Sequence, residues 1–260
     1  VLNVIALWKQ ERLLPMTKAQ RAEPTPTFAD AWRDYASGGH AGRLLFVVFL
    51  GTMAFNMQDV LLEPYGGEIL GLSVSATTLL TATWAAGALA GFALAARWLS
   101  RGLNPFRMAA RGLLAGLIAF SAVIFANPWD SAQLFFIGAA LIGFGGGLFA
   151  VATLTAAMTM PTKAKAGRGL ALGAWGAAQA TAAGLSIAFG GAIRDFVNAL
   201  VASDRLGEAL SNAATGYSVV YHLEILLLFI TLVALGPLVR TRTTIHQDGG
   251  SKIGLADMPT

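Results

Sequence analysis

The chain contains no cysteine in 260 residues, which removes disulfides, thiolate nucleophiles and thiolate metal sites together. Charge is scarce as well. Only 12 % of the residues are Asp, Glu, Lys or Arg, against about 25 % in an average soluble domain. The three histidines, His40, His222 and His246, are too far apart in sequence to make a local metal-ligand motif. No nucleophile and base stand at recognisable spacing. Gly145, Gly146 and Gly147 follow no strand pattern and so have no phosphate-loop meaning. These absences read as a protein that is not an enzyme. A nucleic-acid role finds neither a basic patch nor an aromatic platform, although Lys and Arg outnumber Asp and Glu by 18 to 14.

What the chain has instead is apolar length. Hydrophobic residues make up 55 % and the mean hydropathy is +0.62. Six apolar stretches fall at 44–62, 73–96, 109–126, 132–157, 169–193 and 218–239. A hydrocarbon core about 30 Å thick needs about 20 such residues per helix. The buried helices of a soluble protein seldom reach that length in series. The fold class is therefore an all-α integral membrane protein, a six-helix transmembrane bundle over 42–239.

Basic residues accumulate on the cytoplasmic side of membrane helices. Of the 18, only Arg194 and Arg205 fall in connections on one side; the other 16 lie in the segment before the first span, in the second-to-third and fourth-to-fifth connections, and in the tail. Both ends of this chain are thus expected in the cytoplasm. The apolar residues 1–8 read as the end of a preceding transmembrane helix, which makes the chain the second half of a longer protein. Residues 9–41 read as a cytoplasmic linker carrying a short interfacial helix, with Thr27 as cap, Asp30 three residues on, Phe28, Trp32 and Tyr35 on one face, and Gly38 and Gly39 as stop. Residues 240–260 read as a polar cytoplasmic tail, disordered in expectation. On the other side, 195–216 forms the one sizeable connection, with Phe196, Leu200, Leu206 and Leu210 interleaved with charge, as in short amphipathic turns or a solvated loop.

Glycine is abundant, with 30 residues, and much of it sits at small-xxx-small spacing inside the spans: Gly87 and Gly91, Gly112 and Gly116, Gly143 and Gly147, Gly169 and Gly173. Between helices in lipid, close backbone approach replaces the hydrophobic drive. Gly145 to Gly147 is the candidate for a bend or a cavity lining. Midplane polarity is confined to Thr81, Thr83, Thr153, Thr155 and Gln179, with no central charge.

Carboxylates near the end of the first span stand out because ionisable groups in membranes are costly. Asp59 lies 16 residues beyond Arg43, about 24 Å along a helix, and Glu63 follows one turn later on the same face. Pro64 is expected to end the span, with Gly66 and Gly67 making the turn. The pair has three readings: a helix-end network, a site for a ligand or partner, or a proton relay. Arg194 and Asp195 lie at similar depth, where Glu63 or Glu224 offers a partner. His222 and Glu224 sit near the start of the last span, His222 as either a metal ligand through its imidazole or an interfacial side chain.

Three blocks in order carry a resemblance. They are the run Gln58, Asp59, Val60, Leu61, Leu62, Glu63, Pro64, Tyr65, Gly66 and Gly67; the segment 169–184 with Gly169, Gly173, Trp175, Gln179 and Gly184; and Gly190, Gly191, Arg194 and Asp195 in 190–195. Together they resemble the PucC/LhaA family of photosynthetic bacteria, a branch of the major facilitator superfamily. The likeness spans this chain but only the second half of the family's length. It implies the C-terminal half of a major-facilitator-like fold, with a second six-helix unit as partner and 109–126 and 218–239 at the periphery. It also implies a bacterial inner or intracytoplasmic membrane and a role in assembling light-harvesting complexes, with antenna polypeptides or the photosynthetic core complex as partners. No cofactor is required on this reading, bacteriochlorophyll being cargo. The candidate pigment- or partner-binding residues are Gln58, Asp59, Glu63, Tyr65, Trp175, Gln179, Arg194, His222 and Glu224. The alternative is a facilitator-type transporter of a small or tetrapyrrole-like substrate. The connection with Arg97, Arg101, Gly102, Pro105 and Arg107 is similar to the superfamily's basic loop but lacks its usual acidic residue, which weakens a gating role.

Overall fold

The computed structural model describes residues 27–37, 40–159, 167–207 and 210–240. The expectations for 1–26, Gly38 and Gly39, His246 and the rest of the tail lie outside them. A short helix, α1 (Phe28–Ser37), precedes α2 (His40–Asn56). A 3-10 turn (Met57–Val60) joins α2 to α3 (Leu62–Glu68). Then come α4 (Val74–Ser100), α5 (Pro105–Ala126), α6 (Ala132–Thr159), α7 (Gly167–Ala202) and α8 (Thr215–Arg240). Among the described residues six spans are long and apolar enough to cross a membrane: His40–Glu68, which runs from α2 through the turn into α3, and five in the helices from α4 to α8.

The end of the first span differs from expectation. The chain does not leave the helix at Pro64; the α-helix gives way to the 3-10 turn directly after Asn56, restarts at Leu62 and continues to Glu68. Pro64 is the third residue of α3, in a first turn whose N–H groups have no intrahelical partner anyway. The reversal falls later, where Gly71 takes φ +62°, a conformation that favours glycine. The break also means that Asp59 and Glu63 do not sit one turn apart on a continuous α-helix. Likewise α7 does not stop near 193 but runs to Ala202, so the first part of the expected surface loop is helix. Between α4 and α5 the basic connection is short. Asn104 caps α5, its side-chain oxygen accepting from the N–H groups of Phe106 at 2.8 Å and Arg107 at 3.4 Å, with Pro105 at the first helical position.

Glycine explains how the bundle closes. Helix α6 lies between α4 and α5. A Cβ on Gly143 would strike the Trp84 carbonyl oxygen, and one on Gly87 the Ala140 carbonyl oxygen. On the other side, a Cβ on Gly112 would lie 2.7 Å from the Gly145 carbonyl oxygen, and one on Gly145 2.7 Å from that of Gly112. Backbones meet at these points, as small-residue packing in lipid requires. The run at 145–147 makes no bend; α6 passes through it unbroken. One expected pair does not pack: Gly169 and Gly173 have nothing within 4 Å of an added Cβ, and Gly176, Gly184 and Gly191 share that openness. Helix α7 thus keeps a small-residue face uncovered by the other described residues.

The short helix α1 forms as the sequence predicts. Thr27 Oγ1 accepts from the Asp30 N–H at 3.3 Å. Phe28 and Trp32 stack, with centroids 6.3 Å apart, and are exposed, whereas Tyr35 turns inward against Ala41, Ala171 and Ala174. Burial pushes the Tyr35 phenol above its ordinary range.

A central cleft and a polar helix end

Helices α2, α4, α6 and α7 enclose a cleft of about 150 Å³. Its walls include Phe55, Trp84 and Phe92, its floor Gly143, Gly146 and Gly147, and its polar groups Asn56 and Gln179. No charged side chain lines it. Glycine produces the concavity: Gly146 leaves room in which a Cβ would meet only Phe55, at 3.6 Å. Of the expected site residues, Gln179 faces this cleft. Trp175, one turn away, donates from Nε1 to Thr153 Oγ1 at 3.2 Å and so links α7 to α6. The other threonines assigned to the midplane are absorbed locally: Thr83 and Thr155 donate to the carbonyls four residues back, each at 2.8 Å. Thr81 instead donates to Glu63, which ties α4 to α3 and puts Thr81 level with the end of the first span.

The second polar region gathers where the 3-10 turn and α3 meet α7 and α8. Arg194 donates to Asp195 Oδ1 through Nε at 2.9 Å and Nη2 at 2.7 Å, and through Nη1 to the Tyr217 hydroxyl at 3.1 Å. Tyr217 in turn donates to Glu68 Oε2 at 2.6 Å. Arg194 therefore pairs with neither Glu63 nor Glu224. Its route to α3 runs through Tyr217 to Glu68, two residues that sequence reading passed over although Glu68 was visible as another carboxylate near the helix end. Tyr65 is buried, with its ring 5.4 to 5.5 Å from those of Phe135, Tyr217 and Tyr221.

His222 and Glu224 do not share a rim. Two residues apart on an α-helix they point about 200° apart, so His222 faces outward while Glu224 is completely buried. The Ser218 carbonyl lies 2.7 Å from His222 Nδ1. A carbonyl only accepts, so Nδ1 is the donor in this contact, and in the neutral imidazole Nε2 is then the nitrogen with the lone pair. Exposed Leu226, Phe229, Ile230 and Val233 continue the same outward face. Gln58 is buried and donates from Nε2 to Asp59 Oδ1 at 2.5 Å, while Asp59 itself is exposed. Asn56, Trp84 and Phe92 were missed as cleft residues because position within a uniformly apolar helix gives no hint of which face is concave.

Helices, glycine seams and an uncharged cleft define a polytopic α-helical membrane protein with a six-helix bundle. The profile of the PUCC protein family matches residues 1–243, and the chain belongs to that family. It is similar to the "Uncharacterized protein in puhA-bchM intergenic region" of Rhodobacter capsulatus, 55 % identical over 263 residues that cover 100 % of this chain and 54 % of that one. It is also similar to Protein PucC of Cereibacter sphaeroides, 46 % identical over 92 % of this chain and 50 % of that one. A more distant likeness, 28 % identical over 74 % of this chain and 44 % of the relative, is to the bacteriochlorophyll synthase 44.5 kDa chain of Rhodobacter capsulatus. The chain spans about half the length of the curated relatives it matches.

Proposed function

We propose that the chain acts in the membrane of a photosynthetic bacterium as an assembly factor for light-harvesting complexes, handling bacteriochlorophyll or nascent antenna polypeptides without catalysing a reaction or requiring a cofactor. The observation that carries this reading, together with family membership, is the uncharged, aromatic-walled cleft. A transporter of charged or small polar solutes would be expected to converge ionisable groups at the midplane. Here the buried ionisable side chain, Glu224, lies outside the cleft lining. The open small-residue face of α7, with Gly173 and Gly184, fits close approach of a further helix, and the partner proposed for it is a second six-helix unit completing a facilitator-like fold. Both ends of the described bundle face the cytoplasm on this reading, following the distribution of Lys and Arg. His222, with its Nε2 lone pair directed away from the Ser218 contact, is the candidate axial ligand for magnesium in a cargo pigment.

Asp59 and Glu63 test the site. Asp59→Asn and Glu63→Gln are expected to lower antenna absorbance severalfold in cells while the protein still accumulates in the membrane, since each change preserves shape and removes one charge. Normal antenna in both variants would assign these carboxylates to helix-end structure alone. Facilitator-type transport of a tetrapyrrole-like substrate is the competing reading; unaltered antenna together with pigment uptake into vesicles would favour it.

A further inference from the structure

Within the bundle, at the break in the first span, several buried oxygens lack partners. Glu224 has no exposed surface, and neither carboxylate oxygen has a partner in good hydrogen-bond geometry, the backbone N–H of Gln58 standing close by but poorly placed. Gln58 Oε1 and the Tyr221 hydroxyl are also buried and unpartnered. Glu224 faces the backbone N–H of Gln58 and, through space, the Asp59 carboxylate. It also stands within electrostatic reach of Tyr221, which in turn is near Tyr65 and Tyr217. Among the described residues no ion pair with Glu224 forms. Arg194 of α7 is held by Asp195 and Tyr217, Arg111 of α5 lies over the Trp98 ring at 5.0 Å, and Arg43 stands near the far end of α2.

An isolated carboxylate is among the most expensive groups to bury, and buried acceptors without donors are rare. The unpartnered atoms are those of a carboxyl group, an amide oxygen and a hydroxyl, all hard oxygen ligands. We propose that Glu224, Gln58 and Tyr221 form a binding site for a monovalent cation, a proton or a sodium ion. Hard oxygen donors disfavour soft transition metals. Broken transmembrane helices provide such sites because the interruption lets polar groups meet inside protein, and here the interruption is the 3-10 turn Met57–Val60 that carries Gln58. Bound charge would tie that turn to α8. Gln58 Nε2 bonds Asp59, which links the site to a carboxylate at the exposed end of the turn. This site is separate from the cleft and does not depend on the antenna role.

Purified protein in detergent tests the proposal at constant ionic strength with sodium exchanged for choline. If sodium binds, the unfolded-to-folded ratio falls about elevenfold when sodium reaches ten times its Kd, and Glu224→Gln abolishes that response. If the occupant is a proton, sodium has no effect, and an infrared difference spectrum contains a protonated-carboxyl band that Glu224→Gln removes. Should Glu224→Gln fail to fold, Gln58→Leu retains the acid and is expected to weaken the sodium response or to move the carboxyl band. Absence of both a sodium response and a protonated-carboxyl band in the unmodified protein would overturn the proposal.

Discussion

Gly143→Val is expected to prevent stable folding of the bundle. The new Cβ would strike the carbonyl oxygen of Trp84 on the neighbouring helix, with the Ala88 N–H side of that backbone only 3.0 Å away. A flexible side chain turns aside from such a contact; a helix backbone does not. Overpacking of a core costs about 1–3 kcal/mol when side chains yield, and here α4 and α6 must separate, undoing the reciprocal approach at Gly87 as well. The check is protein level in membranes together with the melting temperature in detergent. A large loss of both is expected, while Gly173→Val, at an open position, leaves the melting temperature of the described bundle unchanged. Equal stability of the two variants would refute the glycine seam as the source of α4–α6 packing.

Three residues along the same helix, Gly146→Leu is expected to do the opposite: spare the fold and remove the function. A Cβ there meets Phe55 at 3.6 to 3.9 Å, an ordinary contact, and the remaining atoms extend into a cleft of about 150 Å³. A leucine side chain therefore fills much of the space without moving a helix. Membrane level and melting temperature should stay near those of the parent, while light-harvesting absorbance per cell falls severalfold. Antenna at parental levels in a stably accumulated Gly146→Leu protein would remove the cleft from the proposed mechanism and leave the outer face of α8 as the candidate surface.

The helical spans were legible because each is long and apolar enough to cross the hydrocarbon core, a signal that needs no periodicity. Breaks were not. Residues 57–61 contain neither glycine nor proline, so nothing local marks the 3-10 turn, whereas Pro64 looks like a terminator until the helix is known to have restarted two residues earlier. Residues 194–202 contain no breaker either, which is why α7 outran its expected end. The site was legible as composition rather than placement. Asp59, Glu63, Arg194, His222 and Glu224 are conspicuous in an apolar chain, but which of them meet depends on the rotation of each helix. In α8 both faces are apolar, so no amphipathic pattern announced that Glu224 turns inward and His222 outward. The Arg194, Tyr217 and Glu68 chain joins residues as many as 149 apart, and no local motif encodes it.

The most direct test of the assembly role is purification in mild detergent from cells making their antenna, with an absorption spectrum of the product and identification of the proteins that accompany it. The account predicts bacteriochlorophyll or antenna polypeptides at less than one per chain, as for a transient handler, with the pigment reduced in His222→Phe if the outer face of α8 carries it. Protein that emerges without pigment and without antenna or core polypeptides, from cells in which depleting it leaves light-harvesting absorbance unchanged, would contradict the account.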